Sequence, residues 1–410
     1  PIGHKLADVV FRHLDGTRIT KEYQSSDWTS QKLTPNQLEY AARDASILLP
    51  LYTEMKHQIS QKKLDPLVSI EMECLPATVM MELAGFKMDL DKLRQLQSDF
   101  QQEKLKSEAD CKEYLGDINL NSHKKVKESL ERKGISCSNT EKETLRSLTN
   151  QYPKINHLLN YRRYTKLVED LGKYERIIDS NTGRVYPSFR QIGARTGRFS
   201  CSNPNMQNVS KDPRIRACFV ADDGCRLIIA DYSQIELIVA AELSQDSVMI
   251  QAFQQNKDLH RRTAARILGL ADDEVTDEQR MIGKALNFGL IYGMGPGRLA
   301  IQSQNEFGVD MSLDQAEDYR YRFFTAYPGL GAWHEREKSN HYQNSIRTLG
   351  DRLICLDLNG QKITNRLNFP VQGTAADIIK LALGCLHQRL AGTRATIISM
   401  VHDEIIIEVV

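Results

Sequence analysis

Two short β-type segments, each running straight into a carboxylate, constrain this chain more than any other feature. Leu227, Ile228, Ile229 and Ala230 form an unbroken apolar run that ends at Asp231, the pattern of a strand buried on both faces. Ala395 to Val401 and Ile405 to Val410 are two further β-rich runs around a very tight polar turn, which predicts a hairpin with His402, Asp403 and Glu404 at its tip. A carboxylate that follows buried residues is costly to desolvate unless it points out of the strand end or meets a cation. Strand ends are where sheets build sites. Two such carboxylates brought together repel unless divalent cations sit between them, and hard oxygen donors call for Mg2+ or Mn2+ rather than zinc. Taken singly, each Asp reads equally as a turn or cap residue. Their shared context favours a metal pair.

At 410 residues the chain exceeds the size at which one hydrophobic core stops growing, so two to four subdomains are expected. Hydrophobic residues make up 41% and charged ones 26%, and no apolar run approaches the roughly 18 residues of a membrane span, so a soluble protein is expected. The net charge of +1 offers no global attraction to nucleic acid, which leaves local basic stretches such as His123 to Arg176. Eight cysteines without a CxxC pair argue against zinc ligation and a disulfide framework, and fit a reducing, cytoplasmic compartment.

Along the chain, Thr34-Pro-Asn-Gln37 reads as N-cap, first-turn proline and capping box. It predicts a helix with apolar positions Leu38, Ala41, Ala45, Leu48, Tyr52 and Met55, and with Tyr40 and Asp44 one turn apart. An amphipathic helix is expected from Leu67 and stops at Gly85; a long polar helix from Asp91 to Leu115, with a thin apolar face, suggests a projecting arm. Short helices alternate with turns from Asn119 to Arg176, where Tyr161, Arg162, Arg163, Tyr164 and Lys166 interleave aromatics with cations, as DNA contacts or as a solvated helix surface.

Arg280, Lys284, Phe288 and Tyr292 recur every four residues, which places them along one helix face. Two cations at that spacing repel unless an anion such as a triphosphate bridges them, and the aromatics beyond could stack on a base. A basic flank beside buried aromatics is the plainer alternative. Gly293-Met-Gly295-Pro-Gly297 lacks the spacing of a phosphate loop and reads as a turn.

These residues resemble motifs of the family A DNA polymerases, the group of bacterial DNA polymerase I. Asp231-Tyr-Ser-Gln-Ile-Glu236 is similar to motif A, and Val401-His-Asp-Glu404 to motif C. Arg280 with Lys284, Phe288, Gly289, Tyr292 and Gly293 resembles the fingers-helix motif. Thr196-Gly-Arg198 with Asn205, Gln207 and Asn208, and Asn368 with Pro370, Val371, Gln372, Gly373 and Thr374, resemble the segments ahead of motifs A and C. The similarity in order and spacing begins at about Glu71 and runs to the end of the chain.

The resemblance implies an α/β multidomain right hand, with an antiparallel palm sheet and helical fingers and thumb, that extends primer-template DNA with deoxynucleoside triphosphates. Asp231 and Asp403, with Tyr232 beside them, would hold two Mg2+ ions, and Glu404 and Lys284 would assist the chemistry. Arg280, Lys284 and His260 would hold the triphosphate, while Phe288, Tyr292, Gln234 and Glu236 would meet the rest of the nucleotide. Glu236 would crowd the 2′ position and so select deoxynucleotides. Arg198, Asn205, Gln207, Asn208, Asn368, Gln372 and His402 would track the duplex and the primer end.

Ser26-Asp-Trp28 with Leu33 to Tyr52 resembles the end of a ribonuclease H-like 3′-5′ exonuclease domain, with Tyr40-x-x-x-Asp44 as its third motif. No Asp-x-Glu pair lies N-terminal to Asp44, which argues against proofreading. The start at Pro1 and the stop at Val410, inside a strand-like run, suggest a piece of a longer protein. The expected partition is an exonuclease remnant at 1–65, a palm-leading helix at 66–91, thumb at 92–176, palm at 177–272, fingers at 273–367 and palm again at 368–410. A monomeric polymerase in DNA replication or repair is the expectation, from a bacterium, an organelle or a phage. A primer-template binding fragment and a residual exonuclease are the rivals.

Overall fold

Thr34 caps its helix as the sequence predicts: its hydroxyl accepts from the Gln37 amide at 3.3 Å, and the Gln37 side chain accepts from the Thr34 amide at 2.8 Å. The structure is a computed structural model that describes residues 3–210, 212–356 and 362–410. It divides into two units, Pro1–Ser69 and Ile70–Val410. In the first, the single helix expected after Thr34 is two, Pro35–Ser46 and Leu48–Gln61. Pro50 has no amide hydrogen to offer the Ser46 carbonyl, so the helix breaks there. The expected apolar stripe is largely outward, with Leu38, Leu48 and Tyr52 exposed, because the buried apolar side chains described in this unit are only Val10, Leu51 and Leu67.

The helix Asp65–Ala84 ends at Gly85, whose φ of +63° suits a residue without a Cβ. It is less one-sided than expected: Cys74, Ala77 and Met81 are buried, but Met72, Leu75, Val79 and Leu83 are exposed. The long helix Leu90–Leu115 packs along Ile155–Ile177, a single 23-residue helix where shorter ones were expected. Leu93, Leu96 and Phe100 join the main core together with Leu167 and Leu171. Farther along, Cys111 and Leu115 enter a separate core with Val126, Leu130, Leu145 and Leu158. This pair of helices thus spans two cores, the main one at one end and a small separate one at the other.

The predicted hairpin is present as Ala395–Val401 and Glu404–Val409, joined by His402 and Asp403. His402 takes a φ of +56°, the left-handed conformation that two-residue hairpin turns demand. Arg226–Asp231 pairs antiparallel with Glu404–Val409, which is therefore the middle strand of three. Arg226–Asp231 is an edge strand, half open to solvent at Ile228 and Ile229, and is not buried on both faces as its sequence suggested. An unbroken apolar run states a tolerance for burial; the neighbour that provides it is set elsewhere. The helices Ile235–Ser244 and Ile363–Leu390 pack on one another beneath the hairpin. Residues 259–339 form the expected helices and turns, and Gly283 lets Asp277–Leu290 approach Leu259–Leu268 so closely that a Cβ would strike the His260 carbonyl. Among the described residues no helix is long and apolar enough to cross a membrane.

Candidate active site

The register of the sheet brings the two predicted carboxylates to neighbouring strand ends. Asp231 lies opposite Glu404, and the Tyr232 amide donates to the Asp403 carbonyl at 3.2 Å. Burial pushes the Asp403 carboxyl above its usual range; Arg198 opposes this, while Glu236 and Asp231 add to it. Asp231 is exposed. Asp403 lines a hollow of about 50 Å³ with His402, Arg198 and Gln207, whereas Asp231 and Tyr232 line another of about 430 Å³ beside Cys385 and Arg389. Glu404 faces Arg216 at 3.7 Å. No cluster of three or more His, Cys, Asp or Glu ligands occurs among the described residues. A pair of carboxylates still fits Mg2+, which is commonly held by one or two carboxylates together with substrate phosphates.

Glu236 lies in the first turn of Ile235–Ser244 and accepts from both the Arg198 guanidinium and the Tyr292 hydroxyl. Burial, and then Glu236, push the Tyr292 phenol far up, so it stays a donor. Gln234 starts this helix in a left-handed conformation, φ +58°, and its buried Oε1 has no partner among the described residues.

The cationic and aromatic series is divided by the structure. Arg280, Lys284 and Phe288 lie on the helix Asp277–Leu290, but Tyr292 lies two residues past its end. The chain turns at Gly293, and this turn carries the tyrosine to Glu236. Lys284, Phe288 and Tyr292 line a hollow of about 1100 Å³ with Arg298 and Asn368. Arg280 instead pairs with Asp258 at 2.6 Å. His260 is buried, not presented to a ligand: its Nδ1 meets the Asn287 amide group at 2.9 Å, and burial lowers its pKa to about 4.

Among the expected DNA contacts, Asn205 caps the turn Met206–Asn208 by accepting from the Gln207 amide at 3.1 Å. Asn208 and His402 are exposed, and Gln372 is partly buried in the helix Ile363–Leu390. The buried Oδ1 of Asn368 has no partner among the described residues, which fits a group that waits for a ligand. The cluster at 161–166 is largely spoken for within the protein. Tyr161 is in the small core, Arg162 donates to the Thr140 carbonyl at 2.5 Å, Arg163 pairs with Asp212 at 3.1 Å, and Tyr164 packs on Phe100. Only Lys166 of the five is left exposed without such a contact among the described residues. In the N-terminal unit, Tyr40 and Asp44 share a hollow of about 370 Å³ with Trp28, Lys5 and Lys21.

Sequence reasoning passed over Asp258, which both anchors Arg280 and caps the helix Leu259–Leu268. Its place just before an apolar-periodic run was a legible cap signal. Asn287, buried between His260 and Thr263, gave no signal at all.

Helical fingers and thumb around an antiparallel palm sheet define a right-hand nucleic-acid polymerase. Comparison with known proteins agrees. The model of DNA polymerase family A matches residues 90–410, and that of a 3′-5′ exonuclease matches residues 1–60. The DNA polymerase I of Aquifex aeolicus is 33% identical over 99% of this chain and 74% of its own length. The DNA polymerase I of Treponema pallidum and the thermostable DNA polymerase I of Thermus filiformis are each 34% identical over 90% of this chain. The chain spans 39% and 47% of those two, less than half. The POL domain of Pol1 from M. smegmatis, solved with DNA primer-template and dNTP, superposes over 100% of this chain and 73% of its own, with a TM-score of 0.86 and 29% identity. The chain belongs to family A of the DNA polymerases, as a segment resembling bacterial DNA polymerase I.

Proposed function

We propose that this chain extends a primer on a DNA template by adding deoxynucleoside monophosphates, with Asp231 and Asp403 at the reacting centre. The observation that carries this reading is the strand register, which sets both carboxylates at adjacent strand ends. Polymerases of this family are metal-dependent, generally with Mg2+. Asp231, Asp403 and the neighbouring Tyr232 would hold two such ions. Bound there, they would acidify the primer 3′-hydroxyl and stabilise charge on the leaving pyrophosphate.

The protein's own groups then have separable tasks. Lys284, facing the 1100 Å³ hollow, supplies positive charge to the triphosphate, and Arg280 joins it on release from Asp258. Phe288 offers an aromatic face to the sugar and base, and Tyr292 a second one near the templating base. Glu236, fixed from two sides by Arg198 and Tyr292, fills the space beside the 2′ position. The oxygens of Gln234 and Asn368 that have no partner among the described residues are acceptors for nucleotide or template donors. His260 acts from behind, by holding Asn287 and with it the fingers helix. Residues 92–176 serve as thumb, 273–367 as fingers, and 177–272 with 368–410 as palm. A monomer working in the cytoplasm suits this role.

Primer extension with Mg2+ and all four deoxynucleotides is the test. Removing one metal-binding carboxylate costs several kcal/mol of transition-state stabilisation, so Asp403→Ala is expected to abolish extension while primer-template binding persists. Near-normal extension by that variant would overturn the assignment.

A further inference from the structure

The segment that delivers Arg198 to Glu236 rests on a buried quartet of charges brought together from distant parts of the chain. Glu71, on the helix Asp65–Ala84, accepts from the Arg352 guanidinium and from Lys380 at 2.6 Å. Asp377 accepts from Arg352 Nε at 2.8 Å and Nη2 at 2.6 Å, and from the Thr348 hydroxyl at 2.8 Å. Lys380 is fully buried, and Arg352, Asp377 and Glu71 nearly so. Two cations and two carboxylates leave no net charge.

Such a cluster is a poor way to gain stability, since desolvation consumes most of the attraction and an apolar set of similar volume often does as well. What charged groups give and apolar groups do not is direction. Both chain neighbours of Arg198 lie against the quartet's cations. A Cβ on Gly197, whose φ is +84°, would sit 2.5 Å from the Arg352 guanidinium carbon, so the backbone there is in direct contact with Arg352. The Lys380 ammonium lies 5.5 Å from the centre of the Phe199 ring, in cation–π range. A Cβ on Gly373 would come within 3.0 Å of the Thr196 carbonyl, which closes the same segment from the helix Ile363–Leu390.

We infer that the quartet is a positioning device for Arg198, with Arg352 as the positioning residue, and that it thereby sets sugar discrimination through the Arg198–Glu236 contact. The inference rests on the roles given above to Arg198 and Glu236. Arg352 touches no substrate in this scheme. It acts by holding the backbone on the N-terminal side of Arg198, while Lys380 holds the side chain that follows it.

A double-mutant cycle tests this. Arg352→Lys keeps the charge but cannot keep both bonds to Asp377 and the bond to Glu71. Extension with deoxy- and ribonucleotides is measured for the unaltered chain, Arg352→Lys, Arg198→Ala and the double variant, with kcat and KM separated and thermal melting in parallel. Arg352→Lys is expected to reduce the preference for deoxynucleotides about 10-fold, the equivalent of one charge-assisted hydrogen bond. The double variant should be no worse than Arg198→Ala within about 2-fold. If Arg352→Lys does not fold, Asp377→Asn, of nearly the same shape, takes its place in the cycle. Lower melting with unchanged sugar preference, or losses that add in full, would overturn the inference and leave the function intact. A silent Arg198→Ala would overturn the role assigned to Arg198 and the inference with it.

Discussion

Asp258 does two things with one carboxylate, and two substitutions separate them. Its Oδ1 accepts from the amides of His260 at 2.9 Å and Arg261 at 3.2 Å, and its Oδ2 pairs with Arg280 at 2.6 Å. Asp258→Ala removes the cap, worth about 1 kcal/mol, and the ion pair. Both partners of that pair are about a third exposed, so it contributes only about 0.5–1 kcal/mol. The alanine variant should therefore lose about 2 kcal/mol and melt a few degrees lower. Asp258→Asn keeps an acceptor for the cap and should lose only the smaller part. Its effect on nucleotide binding runs the other way. Without the carboxylate, Arg280 no longer chooses between Asp258 and a triphosphate, and the KM for deoxynucleotides should fall about 3-fold. Steady-state extension and thermal melting on the same preparations read both quantities. Equal destabilisation by Ala and Asn would refute the division of the carboxylate's roles, and a raised KM in Asp258→Asn would refute competition for Arg280.

Glu236→Ala should raise ribonucleotide incorporation, measured as the ratio of kcat/KM for the two sugars; an unchanged ratio would count against its place beside the 2′ position. His260 and His334 are both buried and neutral, with pKa values lowered to about 4 by desolvation, while the same groups in the unfolded chain titrate near 6.5. Protonation thus favours the unfolded state. Stability of the fingers should be full above about pH 6.5 and decline toward pH 4, by up to about 3 kcal/mol per histidine, and flat melting temperatures over that range would contradict the burial argument. Gly197→Ala forces a Cβ into both a positive φ and the Arg352 guanidinium, so a loss of about 2 kcal/mol and of sugar preference is expected, and a neutral outcome in melting and extension would disprove the close packing.

Features whose physics is local were legible before any coordinates. The Thr34 capping box, the stop at Gly85 and the strand before Asp231 each depend on a few consecutive residues and stand where the sequence put them; the tight hairpin turn does too, except that Glu404, expected at its tip, opens the second strand. The internal partners of Tyr161 to Lys166 were not legible, for the opposite reason. The Arg163 partner, Asp212, lies 49 residues away, and a basic side chain reads the same whether it faces phosphate or a buried carboxylate. Tyr292 was placed on the helix by its spacing of four, a rule that holds only while the helix lasts; Gly293 ends it, and the tyrosine turns to Glu236.

The sequence by itself determined the kind of protein this is, because motifs that supply carboxylates, cations and aromatics in a fixed order carry the chemistry in residues close together. The tertiary structure decided how those residues are held. Which strand takes the middle of the sheet, which carboxylate restrains Arg280, and what lies under Arg198 depend on contacts between residues as far as 309 positions apart. Such contacts follow from the packing of whole helices and strands, whose burial no single segment encodes. Asp231 and Asp403 show both sides: each carboxylate was visible in its own short run, and only the antiparallel register made them neighbours.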